Sequence, residues 1–460
     1  MKKSRTEKDA LGEIKVDASN LWGSQTQRSL ENFEVGNELM PEEIIQAFAI
    51  QKKACAISNI ASEKIDISIG EKILEACDEI IEGKFHDQFP LSVWQTGSGT
   101  QTNMNVNEVI AYRANQLMGK EKLEDRIIHP NDHCNLSQSS NDSFPSVIHI
   151  AITLLAEKKL TPSIQKFITS LKEKEKEFSE IIKIGRTHFQ DATPLTQGQE
   201  LSSFRTQFEN ALNRIKLSLD EILFIAQGGT AVGTGLNSSK EFIDGFLKAL
   251  NKITSHDFKT SKNFFEALSS HDQILNLSSA INILTTTCYK MCSDFRLLSS
   301  GPRSGIGELI LPANEPGSSI MPGKVNPTQC ESMAQICIYL FGIHNSISFA
   351  CSQGNLQLNT NKTLLAFLII KKINLISDSL NSFRKLCLQN ITTNQRKITE
   401  NLENSLMLVT ALNPSIGYKK SSEIANKAFK EEISLREAAI KLNYLSKEEF
   451  DKIVNPKKMV

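Results

Sequence analysis

Residues 317–327 read Gly-Ser-Ser-Ile-Met-Pro-Gly-Lys-Val-Asn-Pro and stand directly before a long helical pattern. The stretch combines two hydroxyls, a lysine and an amide in a loop bounded by glycines. Asn326 and Pro327 are placed to be the N-cap and first residue of the helix, with Gln329 completing a capping box. Backbone N–H groups, the helix dipole and Lys324 would then favour a carboxylate or phosphate at one place. The pattern predicts a functional loop rather than an ordinary capped surface turn.

Three other segments repeat this arrangement of small polar side chains ahead of a helix. They cover residues 97–103, 137–142 and 185–191. The second is expected to precede a helix opened by Pro145, and the third a helix that begins near Thr196. Four such segments in one chain predict a shared polar pocket for a small anion.

The composition narrows the classes of function. The 460 residues contain 52 Lys plus Arg and 52 Asp plus Glu, so no overall charge indicates nucleic acid or an acidic membrane surface. The nine cysteines lack zinc-type pairs, and Cys288 and Cys292 are interpreted as core thiols of an apolar helix. The first ten residues lack the apolar segment of a signal peptide, and no apolar run is expected to be long enough to span a bilayer. We therefore expect a cytoplasmic protein with reduced thiols and no nucleic-acid or membrane partner.

Long helical patterns dominate the middle of the chain. Residues 145–156 are apolar almost all round, which is typical of a helix buried on every side. Further long helices are predicted near residues 162–183, 196–227, 272–299, 328–350 and 362–388. Helices of this length and apolarity predict a bundle shared between subunits. Shorter, charged helices are predicted near residues 419–431 and 435–442, and no strand-alternating sheet is expected.

The motifs together resemble the signature of the fumarase/aspartase superfamily. Residues 317–327, followed by Thr-Gln-Cys-Glu at 328–331, are similar to that signature. The Pro-Gly-Lys at 322–324 resembles the iron-independent class II fumarases, whereas aspartases typically carry alanine in place of Gly323. Further matching segments lie at residues 21–29, 95–108, 129–142, 185–200, 226–236 and 405–413, so the resemblance extends from about residue 10 to 459.

The resemblance implies an all-α, three-domain fumarase/aspartase-like subunit with a central long-helix bundle. An N-terminal mixed, mostly helical domain would cover residues 1–138, the central bundle residues 139–390, and a small C-terminal helical domain residues 391–460. The subunits would form a homotetramer in which each active site is assembled from three chains. The implied reaction is the reversible, metal-free hydration of fumarate to (S)-malate, with no cofactor.

The same resemblance assigns roles to the reacting groups. His188 would handle water activation or protonation, oriented by Glu331, and Ser318 would take the proton from C3 of the substrate. A serine hydroxyl is a poor base at neutral pH, so Ser318 requires a loop that stabilises an alkoxide through backbone N–H groups. Asp191 is the local alternative to Glu331 as the partner of His188, and Glu315 is the alternative to Ser318 as the base.

Removal of a proton beside a carboxylate creates a doubly charged aci-carboxylate, which preorganised donors and a cation would stabilise. The positions that match the family's substrate-binding residues are Ser98, Gly99, Thr100, Ser139, Ser140, Asn141, Thr187, Ser319, Lys324, Val325 and Asn326. A second dicarboxylate site is implied by Arg126, His129, Pro130, Asn131 and Asp132. A capped turn is the alternative interpretation of this second group.

Two other functions remain open at this point. Ammonia elimination from aspartate occurs in the same superfamily, but Gly323 and residues 95–101 argue against it. A non-catalytic structural member would be expected to have lost site residues, which are all present here. The sequence also departs from the family at Gln357, Leu364 and Ser293, where an acid, a proline and an asparagine are more common.

Overall fold

The computed structural model describes residues 4–460. Within this range the chain forms two compact units. The first unit comprises the chain up to Pro162 together with Asn213–Ile283 and Tyr339–Ser377, and the second comprises Ser163–Leu212, Leu284–Ile338 and Asp378–Val460. The first three residues of the predicted N-terminal domain lie outside the described residues. The division into three domains, at residues 138 and 390, stays a prediction.

Helices make up most of the described chain, which confirms the predicted all-α class. They are α1 (Ser24–Asn32), α2 (Glu42–Ala61), α3 (Ile67–Ile81), α4 (Thr100–Leu117), α5 (Ser140–Leu155), α6 (Thr161–Glu177), α7 (Gln197–Ile222), α8 (Lys240–Thr254), α9 (Phe264–Ser269), α10 (Asp272–Leu298), α11 (Thr328–Cys351), α12 (Lys362–Leu386), α13 (Gln395–Asn404), α14 (Asn413–Ile416), α15 (Tyr418–Glu431), α16 (Leu435–Lys441) and α17 (Lys447–Ile453). The helices predicted near 272–299, 328–350 and 362–388 correspond closely to α10, α11 and α12.

The strands form only small two-stranded sheets. Four pairs are antiparallel: β1 (Ser4–Asp9) with β2 (Gly12–Asp17), β3 (Ile182–Thr187) with β4 (Gln190–Thr196), β7 (Leu309–Ile310) with β10 (Thr392–Thr393), and β8 (Gly354–Asn355) with β9 (Leu358–Asn359). One pair is parallel: β5 (Phe224–Ile225) with β6 (Lys259–Thr260). The segment predicted as a loop at 185–191 therefore belongs to a β-hairpin, and the helix predicted over 162–183 ends at Glu177.

Helix α2 occupies the centre of the first unit. It packs against α3, α5 and α8, and its Phe48 ring meets Phe144 of α5 edge-on at 5.5 Å. The same helix buries Lys52, whose ammonium donates to the side-chain oxygens of Asn135 at 3.0 Å and Gln138 at 2.8 Å. Burial lowers the pKa of Lys52 to about 8. The core of this unit is thus apolar, except for the buried Lys52 ammonium and the side-chain oxygens of Asn135 and Gln138 that accept from it.

Helix α5 confirms the buried helix predicted over 145–156, but it begins earlier than expected. It starts at Ser140, with Ser139 as the N-cap of a capping box closed by Asp142. Pro145 consequently lies inside the helix. Proline lacks the N–H that would bond the carbonyl four residues before it, so the carbonyl of Asn141 is left without its helical donor.

The second unit has an aromatic core and a peripheral hairpin. Phe167 stacks on Phe208 with ring centroids 4.6 Å apart. Ile184 of the β3–β4 hairpin packs into a cluster with Leu412 and Ile424 of the C-terminal segment. This apolar contact fixes the base of the hairpin, which carries His188 at its tip.

Helix α11 contradicts the expectation that no apolar run is long enough to span a bilayer. By length and composition alone it could cross a membrane, and only 39% of its most apolar window is buried within the chain. Ile338, Tyr339 and Phe349 lie exposed along it. The helix therefore presents apolar side chains that the single chain does not cover.

Candidate active site

The first donor-rich segment forms the turn that begins α4. Gly99 is its N-cap with φ of +77°, and a Cβ there would lie 2.1 Å from the Phe144 ring, so only glycine fits. The hydroxyl oxygens of Ser98 and Thr100 lie 2.9 Å apart. Both residues are half-buried. The turn thus presents paired hydroxyls at the N-terminus of an 18-residue helix, where an anion is favoured.

The second segment forms the N-terminus of α5, also in the first unit. The Ser139 hydroxyl accepts from the N–H of Asn141 at 3.2 Å, and the Ser140 hydroxyl accepts from the side-chain amide of Asn103 on α4 at 3.1 Å. The Asn141 side-chain amide donates to the carbonyl of Ala231 at 2.8 Å. Ser139, Ser140 and Asn141 are half-buried like the hydroxyls of the first turn. The first unit therefore holds two donor-bearing helix starts joined by Asn103.

The Asp142 carboxylate connects the second segment to residues 228–230 through backbone hydrogen bonds. Its fully buried carboxylate accepts from the N–H groups of Ser139 at 2.9 Å, Gly228 at 3.0 Å and Thr230 at 2.8 Å. Burial raises the pKa of Asp142, and these three N–H donors oppose that rise. The carboxylate thus ties the start of α5 to the glycine-rich segment at 228–230.

His188 lies at the tip of the β3–β4 hairpin in the second unit. The two-residue turn consists of His188 and Phe189, both with left-handed φ, at +55° and +60°. Non-glycine residues adopt this conformation rarely, and such positions cluster at functional sites. The His188 and Phe189 side chains and the adjoining Thr187 are exposed. The hairpin therefore projects the predicted acid–base residue into solvent.

A buried ion cluster holds the base of this hairpin. The Glu308 carboxylate is fully buried and accepts from the Arg186 guanidinium at 2.7 and 3.0 Å, and from the Asn401 amide at 3.0 Å. The Lys183 ammonium, itself 1% exposed, lies 3.1 Å from the same carboxylate. Burial pushes the pKa of Glu308 upward, but the Arg186 hydrogen bonds and the Lys183 charge outweigh it and lower the pKa.

Neither predicted carboxylate partner of His188 reaches it within the chain. Among residues 4–460, no hydrogen bond or ion pair joins the His188 ring to Glu331 or to Asp191. Glu331 lies half-buried in the first turn of α11, where its N–H donates to the carbonyl of Pro327 at 3.0 Å. Both assignments of the histidine's partner therefore remain predictions.

The loop at 317–327 is closed on itself by backbone contacts. The Asn326 side-chain amide donates to the carbonyl of Gly317 at 2.9 Å, and the helix begins at Thr328, one residue later than the predicted Pro327. Among the described residues no hydrogen bond joins Asn326 and Gln329, so the predicted capping box is wrong. Gly317 packs so tightly that a Cβ there would lie 1.4 Å from the carbonyl oxygen of Lys324. The Ser318 hydroxyl oxygen accepts from the N–H groups of Ile320 at 3.3 Å and Met321 at 3.1 Å. Two backbone N–H groups thus face the Ser318 oxygen, and its role as the base stays a prediction.

Of the two charged side chains in and beside this loop, Glu315 has a hydrogen-bond partner and Lys324 has no ion-pair partner among residues 4–460. The Glu315 carboxylate accepts from the Thr328 hydroxyl at 2.7 Å. Lys324 is exposed, and within residues 4–460 it forms no ion pair with a carboxylate. Ser319 and Val325 are exposed beside it. The same loop thus contains an exposed lysine without a carboxylate partner among residues 4–460 and the turn whose N–H groups face the Ser318 oxygen.

Two residues of the predicted second dicarboxylate site, Arg126 and His129, already have partners within the chain. The Arg126 guanidinium donates to the Glu7 carboxylate at 2.9 and 3.2 Å and lies over the Tyr112 ring at 4.4 Å. The His129 Nδ1 atom accepts from the N–H groups of Asn131 and Asp132, at 3.3 Å each, as a cap of the turn Pro130–Cys134. A cavity of about 470 Å³ adjoins these residues, lined also by the buried Glu108.

Several supporting contacts were not found from the sequence, although Asp142 itself lies in the donor-rich segment 137–142. Asp142, Glu308 and Lys183 each act through tertiary contacts with segments far away in the chain. Lys362, at the start of α12, is likewise buried beneath the donor segments of the first unit. Their burial as charged residues is the only unusual feature, and burial cannot be read at a single polar position in a sequence.

Comparison with known proteins supports a single family. The chain matches the family described as Lyase over residues 12–342 and the one described as Fumarase C C-terminus over residues 408–460. A fumarate hydratase class II of Rickettsia felis is 50% identical, covering 100% of both chains. Fumarate hydratase 2 of Arabidopsis thaliana is 50% identical, over 99% of this chain and 91% of the relative. The crystal structure of the class II fumarase from Schistosoma mansoni superposes with a TM-score of 0.97 at 44% identity, covering 99% of each chain.

The fold and its polar loops, together with the match over residues 12–342, define a lyase. Several full-length relatives that are about 50% identical are described as fumarate hydratase class II, and the structural similarity extends over nearly the whole chain. The chain belongs to the class II fumarate hydratase family.

Proposed function

We propose that this chain catalyses the reversible hydration of fumarate to (S)-malate by acid–base chemistry, as a step of the tricarboxylic acid cycle. The observation that carries this function is the loop at 317–327. There the Ser318 oxygen accepts hydrogen bonds from two backbone N–H groups, and the same loop carries Lys324, which has no carboxylate partner among residues 4–460. This arrangement suits proton removal from carbon next to a carboxylate, because it lowers the energy of both the alkoxide and the developing dianion.

In the direction of dehydration, Ser318 takes a proton from C3 of malate. The electrons of the broken C–H bond move into the adjoining carboxylate, and Lys324 offsets the second negative charge of the resulting aci-carboxylate. These electrons then return to form the C2–C3 double bond as the C2–O bond breaks, and His188 protonates the departing hydroxide to give water. Hydration runs the same steps in reverse, with His188 accepting the proton of the added water.

The substrate's carboxylates are assigned to the donor groups of the two units. Ser98 and Thr100 at the start of α4, and the start of α5, supply hydroxyl, amide and helix N-terminal donors in one group. The other group comes from the hairpin and the 317–327 loop. The full set of proposed binding residues is Ser98, Gly99, Thr100, Ser139, Ser140, Asn141, Thr187, Ser319, Lys324, Val325 and Asn326.

We place these groups together through association of four chains. The support is twofold: His188 has neither Glu331 nor Asp191 as a partner within its chain, and α11 exposes Ile338, Tyr339 and Phe349. Apolar faces of long helices are suited to a shared bundle in a homotetramer. In this proposal Glu331 of one subunit orients His188 of another. Light scattering should give four times the 51.2 kDa of one chain.

The same proposal includes a second dicarboxylate site at Arg126, His129, Pro130, Asn131 and Asp132. Because Glu7 already pairs with Arg126, a dicarboxylate would have to displace that carboxylate before binding there. The location is proposed as cytoplasmic, since all nine cysteines are free and buried, as expected in a reducing compartment.

The ultraviolet absorbance of fumarate provides the decisive assay. The purified protein should produce fumarate from (S)-malate and consume it in the reverse direction, with no release of fumarate from aspartate. Turnover of aspartate alone would reject the proposed reaction in favour of an ammonia-lyase. An intact oligomer that converts neither substrate would instead indicate a structural member of the family.

A further inference from the structure

Lys362 bonds to both donor segments of the first unit. Its backbone N–H donates to the carbonyl of Gly97 at 2.9 Å, and its ammonium donates to the carbonyl of Asn141 at 3.0 Å. Two residues earlier, the Thr360 carbonyl packs against Gly97 so closely that a Cβ on the glycine would lie 1.4 Å from that oxygen. The segment from Thr360 to Lys362 therefore clamps the two helix starts together.

The contact with Asn141 has a specific cause in the sequence of α5. Pro145 cannot supply the N–H that would normally bond the carbonyl of Asn141. The Lys362 ammonium takes this free acceptor, so the hydrogen bond that the helix lacks is replaced by one from a cation. Leaving the carbonyl of the half-buried Asn141 without a donor would be unfavourable, which gives this lysine a defined place beneath the donor segment.

The charge of Lys362 has little compensation within the chain. The side chain is fully buried, and among residues 4–460 the Asn141 carbonyl is its sole hydrogen-bond acceptor, with no carboxylate in an ion pair. Burial lowers the pKa of Lys362 to about 7, opposed by the charge of Asp142 on α5. The other titratable group that faces it is His271, whose pKa burial lowers well below the usual range and which therefore stays neutral.

We propose that Lys362 is a positioning residue that joins the two carboxylate-binding segments. It also places a positive charge behind them, and a bound dicarboxylate neutralises that charge. This inference rests on the proposed function only in taking a dicarboxylate as the ligand. The lysine does not touch the reacting atoms. It raises the affinity for the dianion by holding Gly97 and Asn141 in place and by attracting the bound negative charge through the α5 terminus.

Helix α12 offers a matched control ten residues further on. Lys372 is also fully buried in the first unit, and burial lowers its pKa to about 7 as well. Its ammonium donates to the carbonyl and hydroxyl of Ser278, at 2.9 and 3.0 Å, instead of to a donor segment. Lys372→Met thus removes a buried lysine of the same kind from the same helix without altering the Gly97–Asn141 clamp.

The test is the binding of succinate, an unreactive dicarboxylate, measured by calorimetry and by competitive inhibition. Lys362→Met should weaken succinate binding and raise KM for malate by about tenfold or more, because a charge-assisted buried hydrogen bond is lost. The change in kcat should be smaller, Lys362→Arg should restore most of the affinity, and Lys372→Met should leave KM unchanged. Unaltered succinate binding in a folded Lys362→Met oligomer, or an equal loss in Lys372→Met, would overturn the inference.

A second measurement covers the case in which Lys362→Met fails to fold. Succinate affinity of the wild type should fall as the pH rises above about 7, because Lys362 loses its proton, whereas Lys362→Arg stays charged and should keep its affinity. Identical pH profiles for the two proteins would contradict the proposal. A wild type that neither binds succinate nor turns over malate would refute the proposed function instead, so the two failures are distinguishable.

Discussion

Replacing Glu308 by glutamine tests how the hairpin that carries His188 is held. The substitution keeps the size of the side chain but removes the negative charge between Arg186 and Lys183. The carboxylate is fully buried, accepts two guanidinium hydrogen bonds and lies 3.1 Å from a lysine that is 1% exposed. Glutamine can accept through only one oxygen, so at least one cation loses its partner in the interior.

The expected cost follows from that burial. Removing one member of a buried ion pair typically costs about 3–5 kcal/mol, and here the lower end applies because Lys183 keeps Glu200 at 3.0 Å. The Glu200→Gln variant is the matched control, since Glu200 contacts the same lysine but its side chain is 28% exposed. For that variant a loss of about 1 kcal/mol or less is expected.

Two measurements compare the loss of stability in Glu308→Gln with that in Glu200→Gln. Calorimetry should show a clearly lower Tm for Glu308→Gln than for Glu200→Gln, and hydrogen exchange should speed up across residues 182–196. Activity should fall as well, since His188 is carried by the loosened hairpin. Equal Tm values and equal exchange in the two variants would refute the idea that this ion cluster holds the hairpin.

The pH dependence of the same effect has a defined sign. The pKa of Glu308 is lowered in the folded chain, so its stabilising contribution is present above the pKa of an unfolded glutamate, about 4.3. It is lost as the pH falls through the lower folded value. The difference in Tm between wild type and Glu308→Gln should therefore shrink below about pH 4, and a difference that persists there would contradict this account.

The remaining predictions concern the reacting loop and its supports. Lys324→Met should lower kcat by about 100- to 1,000-fold in the fumarate assay, because a charge-stabilising donor is removed, and a mild loss would contradict its placement. Ser318→Ala should abolish most of kcat, whereas Ser319→Ala should act mainly on KM; equal effects would argue against Ser318 as the base. Asp142→Asn should destabilise the first unit by about 1–3 kcal/mol in thermal unfolding, because its amide would face N–H donors, and an unchanged Tm would refute that. Dialysis against a chelator should leave malate turnover intact, and a loss restored by added metal would contradict the acid–base mechanism.

Much of the helical framework could be predicted from hydrophobic patterning. The helices expected near 272–299, 328–350 and 362–388 appear as Asp272–Leu298, Thr328–Cys351 and Lys362–Leu386 because each is a long apolar-rich run without proline or interior turn signals. The start of α5 was wrong by five residues. Proline was interpreted as an opening residue, but a capping box at Ser139 begins the helix earlier.

The parts that the sequence could not reveal depend on contacts between distant segments. The hairpin around His188 is stabilised by Glu308, more than a hundred residues further along the chain, so no local pattern identifies it. Lys362 is similar: its partner Asn141 lies far away in sequence. The candidate loops themselves were found because their glycines, hydroxyls and amides are local signals, whereas their supporting charges are not.

Mixing two inactive variants tests most directly whether the reacting groups come from different subunits. His188→Ala and Lys324→Met should each form intact oligomers with almost no malate turnover. After unfolding and refolding together, hybrid oligomers should recover part of the activity, because some sites then combine an intact histidine from one chain with an intact lysine from another. Hybrids that are verified by mass spectrometry but remain inactive would contradict the shared site.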